Sequence, residues 1–206
     1  MVSMDIFQPM LSGDLAAFIG RTFEIPTGTV LDRAKELRAA ELLSKHGHGP
    51  RSGAVMTSAD AVNSILANVL DRRRGEALAT GVRRVRRLKP DEPLTELPIG
   101  FTRGLTFFEA ANAGAALESL LMDIQTGRLD TWAAGERFTL AVTFETRGAS
   151  VFLSLNKPKR GSLDFRNAVH GFAKPGVAQQ KPHVKRNITI HGEVFLQLAA
   201  KLGPPD

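Results

Sequence analysis

Residues 19 to 30 read Ile-Gly-Arg-Thr-Phe-Glu-Ile-Pro-Thr-Gly-Thr-Val, and their spacing leaves few arrangements open. The run fits a short apolar helix, a tight turn and a second helix opening on Pro26-Thr27-Gly28-Thr29-Val30, the helix-turn-helix arrangement. Ile19, Phe23, Ile25 and Val30 are the expected buried positions holding the two helices at a steep angle. Gly20 is the small residue at which the second helix crosses the first closely. Thr27, Gly28 and Thr29 fall at the exposed start of the second helix.

The following residues extend the pattern. Leu37-Arg38-Ala39-Ala40-Glu41-Leu42-Leu43 leads to a helix end near Ser44, because Gly47, Gly49 and Gly53 forbid continuation. Residues 45 to 53 suit a wing, with Val55-Met56 as its returning strand and Ser58 or Thr57 as the N-cap of a further helix. Taken together, residues 10 to 72 resemble the DNA-binding part of winged helix-turn-helix transcription regulators of bacterial or phage type. Such regulators often close their recognition helix on Leu-Arg-x-Ala-Gly-Leu-Leu. The chain departs from them at Glu24, where the turn usually carries glycine. The resemblance implies a double-stranded DNA partner, with the second helix in the major groove. It implies contacts from Thr27, Gly28, Thr29, Arg33 and Lys35, and from Lys45 and Arg51 to the neighbouring backbone or minor groove. A homodimer on a palindromic site is the expected assembly.

A helical wheel complicates this picture. Val30, Ala34 and Leu37 share the inward face, while Gly28, Thr29, Asp32 and Glu36 share the opposite one, flanked by Arg33 and Lys35. An acid can accept from cytosine N4, but two acids also repel phosphates. Either the rotation differs, or Thr27, Thr29, Arg33 and Lys35 make the contact near the helix start. Plain solvation is the alternative for Arg33 and Lys35.

The net charge of +6 is unevenly spread. From Arg21 to Lys89 there are 14 Lys and Arg against 7 Asp and Glu; from Lys157 to Arg186 there are 8 against 1. The rest is acidic overall, a distribution that suits a chain presenting particular faces to phosphates. The absence of cysteine excludes disulfides, thiolate-bound zinc and a thiol nucleophile. No signal peptide or membrane-length apolar run is present, so a cytoplasmic, membrane-free protein is expected. His46, His48, His170, His183 and His191 lack metal-ligand spacing, and Gly47 to Gly53 lacks a phosphate-loop ending. No Gly-x-Ser-x-Gly elbow occurs. Neither an enzyme nor a cofactor is expected.

The remaining pattern predicts an α+β fold in two domains. Helices are expected over 4–22 (weakened at Ser12-Gly13), 59–70 and 76–88. The last carries Arg83, Arg84, Arg86 and Arg87, a secondary basic surface that either neutralises DNA backbone or pairs with acids of the second half. The winged domain with its basic extension occupies residues 1–89. Residues 90–105 have linker composition, with Pro90 and Pro93 among clustered charges. Residues 106–206 form an α+β domain for dimerisation or a protein partner. It is expected to contain a long helix over 107–125, central to the domain or shared between chains, and a hairpin of 137–145 with 149–155 about Arg147-Gly148. A third strand over 187–190 and a terminal helix over 192–202 follow, with a basic, turn-rich loop over 157–185. Two other functions fit the same residues: a mobile-element interaction factor using the winged helix as scaffold, and a packaging or replication accessory binding duplex without sequence preference.

Overall fold

A computed structural model describes residues 9–45, 54–71, 75–145, 150–158, 165–174 and 187–202. The fold is mixed α+β. Four helices come first: α1 (Ser12–Thr22), α2 (Thr27–Ala39), α3 (Ser58–Val69) and α4 (Leu78–Arg86). Then follow strand β1 (Lys89–Pro90), helices α5 (Ala113–Gln125) and α6 (Arg128–Ala133), strands β2 (Thr139–Glu145), β3 (Ser150–Pro158), β4 (Phe165–Ala173) and β5 (Asn187–His191), and helix α7 (Gly192–Leu202).

Helix α3 is the centre of the first half. Ala61, Val62, Ile65, Leu66 and Val69 are all buried, and α1, α2, α4, α5 and α7 surround it. Its start is fixed by Thr57, whose hydroxyl accepts from the Asp60 amide at 3.2 Å. The Asp60 carboxylate in return accepts from the Thr57 amide at 3.0 Å, completing a capping box. The same carboxylate accepts from the Ser44 amide and hydroxyl, both at 2.8 Å. It thereby ties the chain leaving α2 to the head of α3.

Two sequence expectations are corrected here. Helix α1 begins at Ser12, so the part of the 4–22 helix that lies within the described residues is shorter at its start. Met10 and Leu11 are extended, and they pair with Val55 and Met56 through a Leu11–Val55 bridge and a 2.9 Å bond from the Met56 amide to the Met10 carbonyl. Helix α2 stops at Ala39, short of Ser44, because Glu41 turns to φ +59°. The Leu42 amide then reaches the Leu37 carbonyl (2.9 Å) and the Glu41 amide the Arg38 carbonyl (3.1 Å), a Schellman closure.

Within the stretch of linker composition, residues 90–96 run along the edge of the sheet. The Asp91 amide donates to the Gly171 carbonyl at 2.9 Å, and Glu96 and Val169 exchange two backbone bonds of 2.7 and 2.8 Å. Prolines and charges disfavour an interior strand but can line an edge, where only one side must pair. Phe101 and Leu105 return to the core, which runs without a break from Ile19 and Leu37 through Leu66 to Leu117, Phe144 and Phe195.

The sheet is antiparallel, in the order β1-β4-β3-β2-β5. In the predicted hairpin, Leu140, Val142 and Phe144 stand opposite Leu155, Leu153 and Val151, all on the buried face. The turn itself, at Arg147-Gly148, lies outside the described residues. The third strand, β5, pairs with β2 at the far side from β3. Strand β4 occupies part of the expected 157–185 loop. Ala168, His170 and Phe172 point inward from it. Alternation with Asn167 and Gly171 hides its strand character, and its identity rests on pairing with β3.

The long helix over 107–125 is shorter than expected. Asn112 caps α5 by accepting from the Ala115 amide at 2.9 Å, and Phe107 and Phe108 lie on a preceding 3-10 turn. That turn is held by Asp123, fully buried on α5, which accepts from the Thr106 amide (2.6 Å), the Thr106 hydroxyl (2.9 Å) and Arg128 (3.2 Å). The apolar girth of α5 is used within the chain, against α3, α4, α6 and α7.

Candidate nucleic-acid interface

The α1–α2 turn is built from three residues. Phe23 caps α1, Glu24 adopts φ +53°, and the Ile25 amide returns to the Gly20 carbonyl at 2.9 Å. Glu24 therefore takes the left-handed conformation in which glycine is the usual choice. Gly20 is where the helices approach most closely: a Cβ there would lie 2.9 Å from the Ile25 carbonyl oxygen and 3.3 Å from the Thr27 hydroxyl. Ile19 and Val30 are buried across this crossing, with Phe23 and Ile25 partly so.

Beyond the turn, Pro26 leads into α2, whose N-terminus no side chain caps. Thr27, Gly28 and Thr29 are all exposed, as are Leu31, Asp32, Lys35 and Glu36 along the same outward side. Lys35 pairs with Asp32 at 2.9 Å and Lys45 with Glu41 at 3.2 Å, all four side chains largely in solvent. Exposed pairs of this kind are weak and exchange readily for another anion.

Arg33 is placed differently. It is half-buried, and its guanidinium donates to the Asn68 side-chain oxygen of α3 at 2.8 Å. It holds α2 in place more than it faces outward. Arg51 and the rest of the wing tip, with His46 and His48, lie outside the described residues.

The α4 arginines are mostly engaged as well. Arg83 donates to the Ala40 carbonyl at 2.6 Å, closing the C-terminal end of α2. Arg84 forks onto both oxygens of Glu76 at 3.3 Å. Arg86 donates to Asn63 at 2.9 Å and pairs with Glu118 of α5, its stem lying over Gly114. Arg87 is exposed. Of the two sequence alternatives for this run, pairing with an acid of the second half describes Arg86, through Glu118; the partner of Arg84, Glu76, lies in the first half.

No family model, curated protein or solved structure matches the chain.

Sequence reasoning missed two exposed residues near the α1–α2 turn. Leu31 is 38% exposed among polar neighbours, and Arg21 is exposed in the last turn of α1. The Leu31 signal was present as an apolar residue off the Val30–Ala34–Leu37 stripe. Elsewhere, among the described residues, no group of three or more His, Asp or Glu is placed to hold a metal ion, and no helix is long and apolar enough to cross a membrane.

One buried titratable group stands apart from this surface. His170 is 5% exposed on the inner face of β4, between the rings of Phe108 and Phe172 at 6.0 and 4.3 Å. Neither ring nitrogen finds a hydrogen-bond partner, and burial pushes its pKa below the usual histidine range.

Proposed function

We propose that the protein is a sequence-specific double-stranded DNA-binding regulator, acting as a homodimer, that presents the outward side of α2 to the major groove. The observation that carries this reading is the α1–α2 crossing. Gly20 admits the close approach, Glu24 makes the turn, and the uncapped start of α2 leaves Thr27, Gly28 and Thr29 exposed together. An exposed, uncapped helix start favours phosphate and base-edge contact through its amides and hydroxyls. Lys35 and Lys45 supply phosphate contacts once released from Asp32 and Glu41. Arg33 orients α2 through Asn68.

The test is selection of bound fragments from a random duplex library at roughly physiological salt, with Thr29→Ala and Lys35→Ala variants in parallel. A palindromic motif enriched by the wild type and lost by the variants is the expected result. Retention without enrichment, with a steep loss of affinity on adding salt, would point to a packaging or replication accessory instead.

A second reading has its own observation. Asp32 and Glu36 are exposed while Arg33 turns inward to Asn68, so the outward side of α2 carries less positive charge than the sequence suggests. This favours a protein partner, with the helix pair as scaffold. Absence of any duplex retention, together with salt-insensitive binding to a protein, would replace the first reading with this one.

A further inference from the structure

We infer that Leu31 reads the C5-methyl group of a pyrimidine in the major groove. The inference rests on the duplex-binding reading above and assigns part of its sequence preference to one side chain.

Leu31 is the apolar exception on the outward side of α2. Its neighbours one turn away are Gly28 and Lys35, with Asp32 next in the chain, and all are exposed. The inward positions Val30 and Leu37 seal α2 against the core, while Leu31 keeps 38% of its surface exposed. Gly28 has no packing reason: a Cβ there would meet nothing within 4 Å. Its effect is to leave open the approach to Leu31 from the helix start.

The major-groove edges of the bases are donors and acceptors, except for the methyl on C5 of thymine. An exposed leucine in the first turns of a groove-entering helix has that methyl as its natural contact. The same group is carried by 5-methylcytosine. Asp32 beside Leu31 suits the cytosine N4 donor and is repelled by the thymine O4 acceptor, so the two sources are separable by experiment.

The experiment uses the full chain and the duplex recovered by selection, in three forms. These are the parent, a form with deoxyuridine at each thymine in turn, and a form with 5-methylcytosine at each cytosine in turn. Each is titrated against wild type and Leu31→Ala. Position 31 is exposed and alanine favours helix, so the variant keeps its fold, which circular dichroism checks. Burying one methyl predicts a three- to fivefold change. Wild type is expected to weaken by that factor on losing a thymine methyl, or to tighten on gaining a cytosine methyl, and Leu31→Ala to show neither. Equal wild-type affinity for all forms overturns the inference, as does a methyl effect that persists in Leu31→Ala. A wild type that retains no duplex at all overturns the underlying reading, a distinct outcome.

Discussion

Gly171 on β4 lies directly beneath Leu94: a Cβ at position 171 would sit 2.5 Å from both the Leu94 Cβ and its carbonyl oxygen. The strap that carries the chain from α4 across the edge of β4 therefore depends on a missing side chain. Gly171→Ala should lower stability by about 2–3 kcal/mol, since the obstructing atoms include backbone. Urea unfolding followed by circular dichroism measures it, and an unchanged midpoint would show that the strap moves aside freely.

Glu24 and Glu41 hold φ values of +53° and +59° at the two helix ends that bracket α2. The left-handed conformation costs a residue with a Cβ about 1–2 kcal/mol. Glycine avoids that but loses more entropy on folding. Glu24→Gly and Glu41→Gly should each raise stability by up to about 1 kcal/mol, and thermal melts should show both shifts adding. A fall in melting temperature for either would mean that its carboxylate contributes more than its backbone costs.

Arg33 and Lys35 are neighbours in sequence with opposite roles. Arg33→Ala removes the bond to Asn68 and should cost about 1 kcal/mol of stability. Lys35→Ala breaks only an exposed pair with Asp32 and should leave stability within about 0.5 kcal/mol of wild type. Equal effects in denaturant titrations would erase the distinction drawn between an orienting arginine and an outward lysine.

These assignments mark where the sequence was legible. The helix-turn-helix spacing placed Gly20 at the crossing and Val30 inside, because both follow from local sterics and the helical period. The alternation of Leu140, Val142 and Phe144 revealed the hairpin for the same reason. The strap over 89–96 and strand β4 escaped, since their pairing is long-range and their own residues, Pro90 and Gly171 among them, look like loop. For Arg84 and Arg86 the sequence left backbone contact and internal pairing both open, and it did not show which partners they or Arg33 would take. A guanidinium's partner is set by which helices meet, as with Glu118 and Asn63 for Arg86, and not by its own neighbours in the chain.

His170 gives a pH dependence with a definite sign. Burial lowers its folded pKa, so the unfolded chain takes up a proton that the folded chain refuses. This contribution is fully favourable above the unfolded value of about 6.5. It is lost progressively as pH falls from there toward the lowered folded value. His170→Leu should remove that slope and gain stability relative to wild type at pH 5 compared with pH 8. Parallel slopes for the two proteins between those pH values would show that the imidazole finds a partner on protonation.

The carboxylate shared by Ser44, Thr57 and the head of α3 has a kinetic consequence. The Ser44 and Thr57 amides both donate to the Asp60 carboxylate, so displacement of that one group frees both hydrogens for exchange with solvent. The two amides should open as a single unit, at one rate, although residues 45–56 separate them in the chain. Whatever grips α2 from outside would then be felt as slower exchange at Thr57, across a segment that it need never touch.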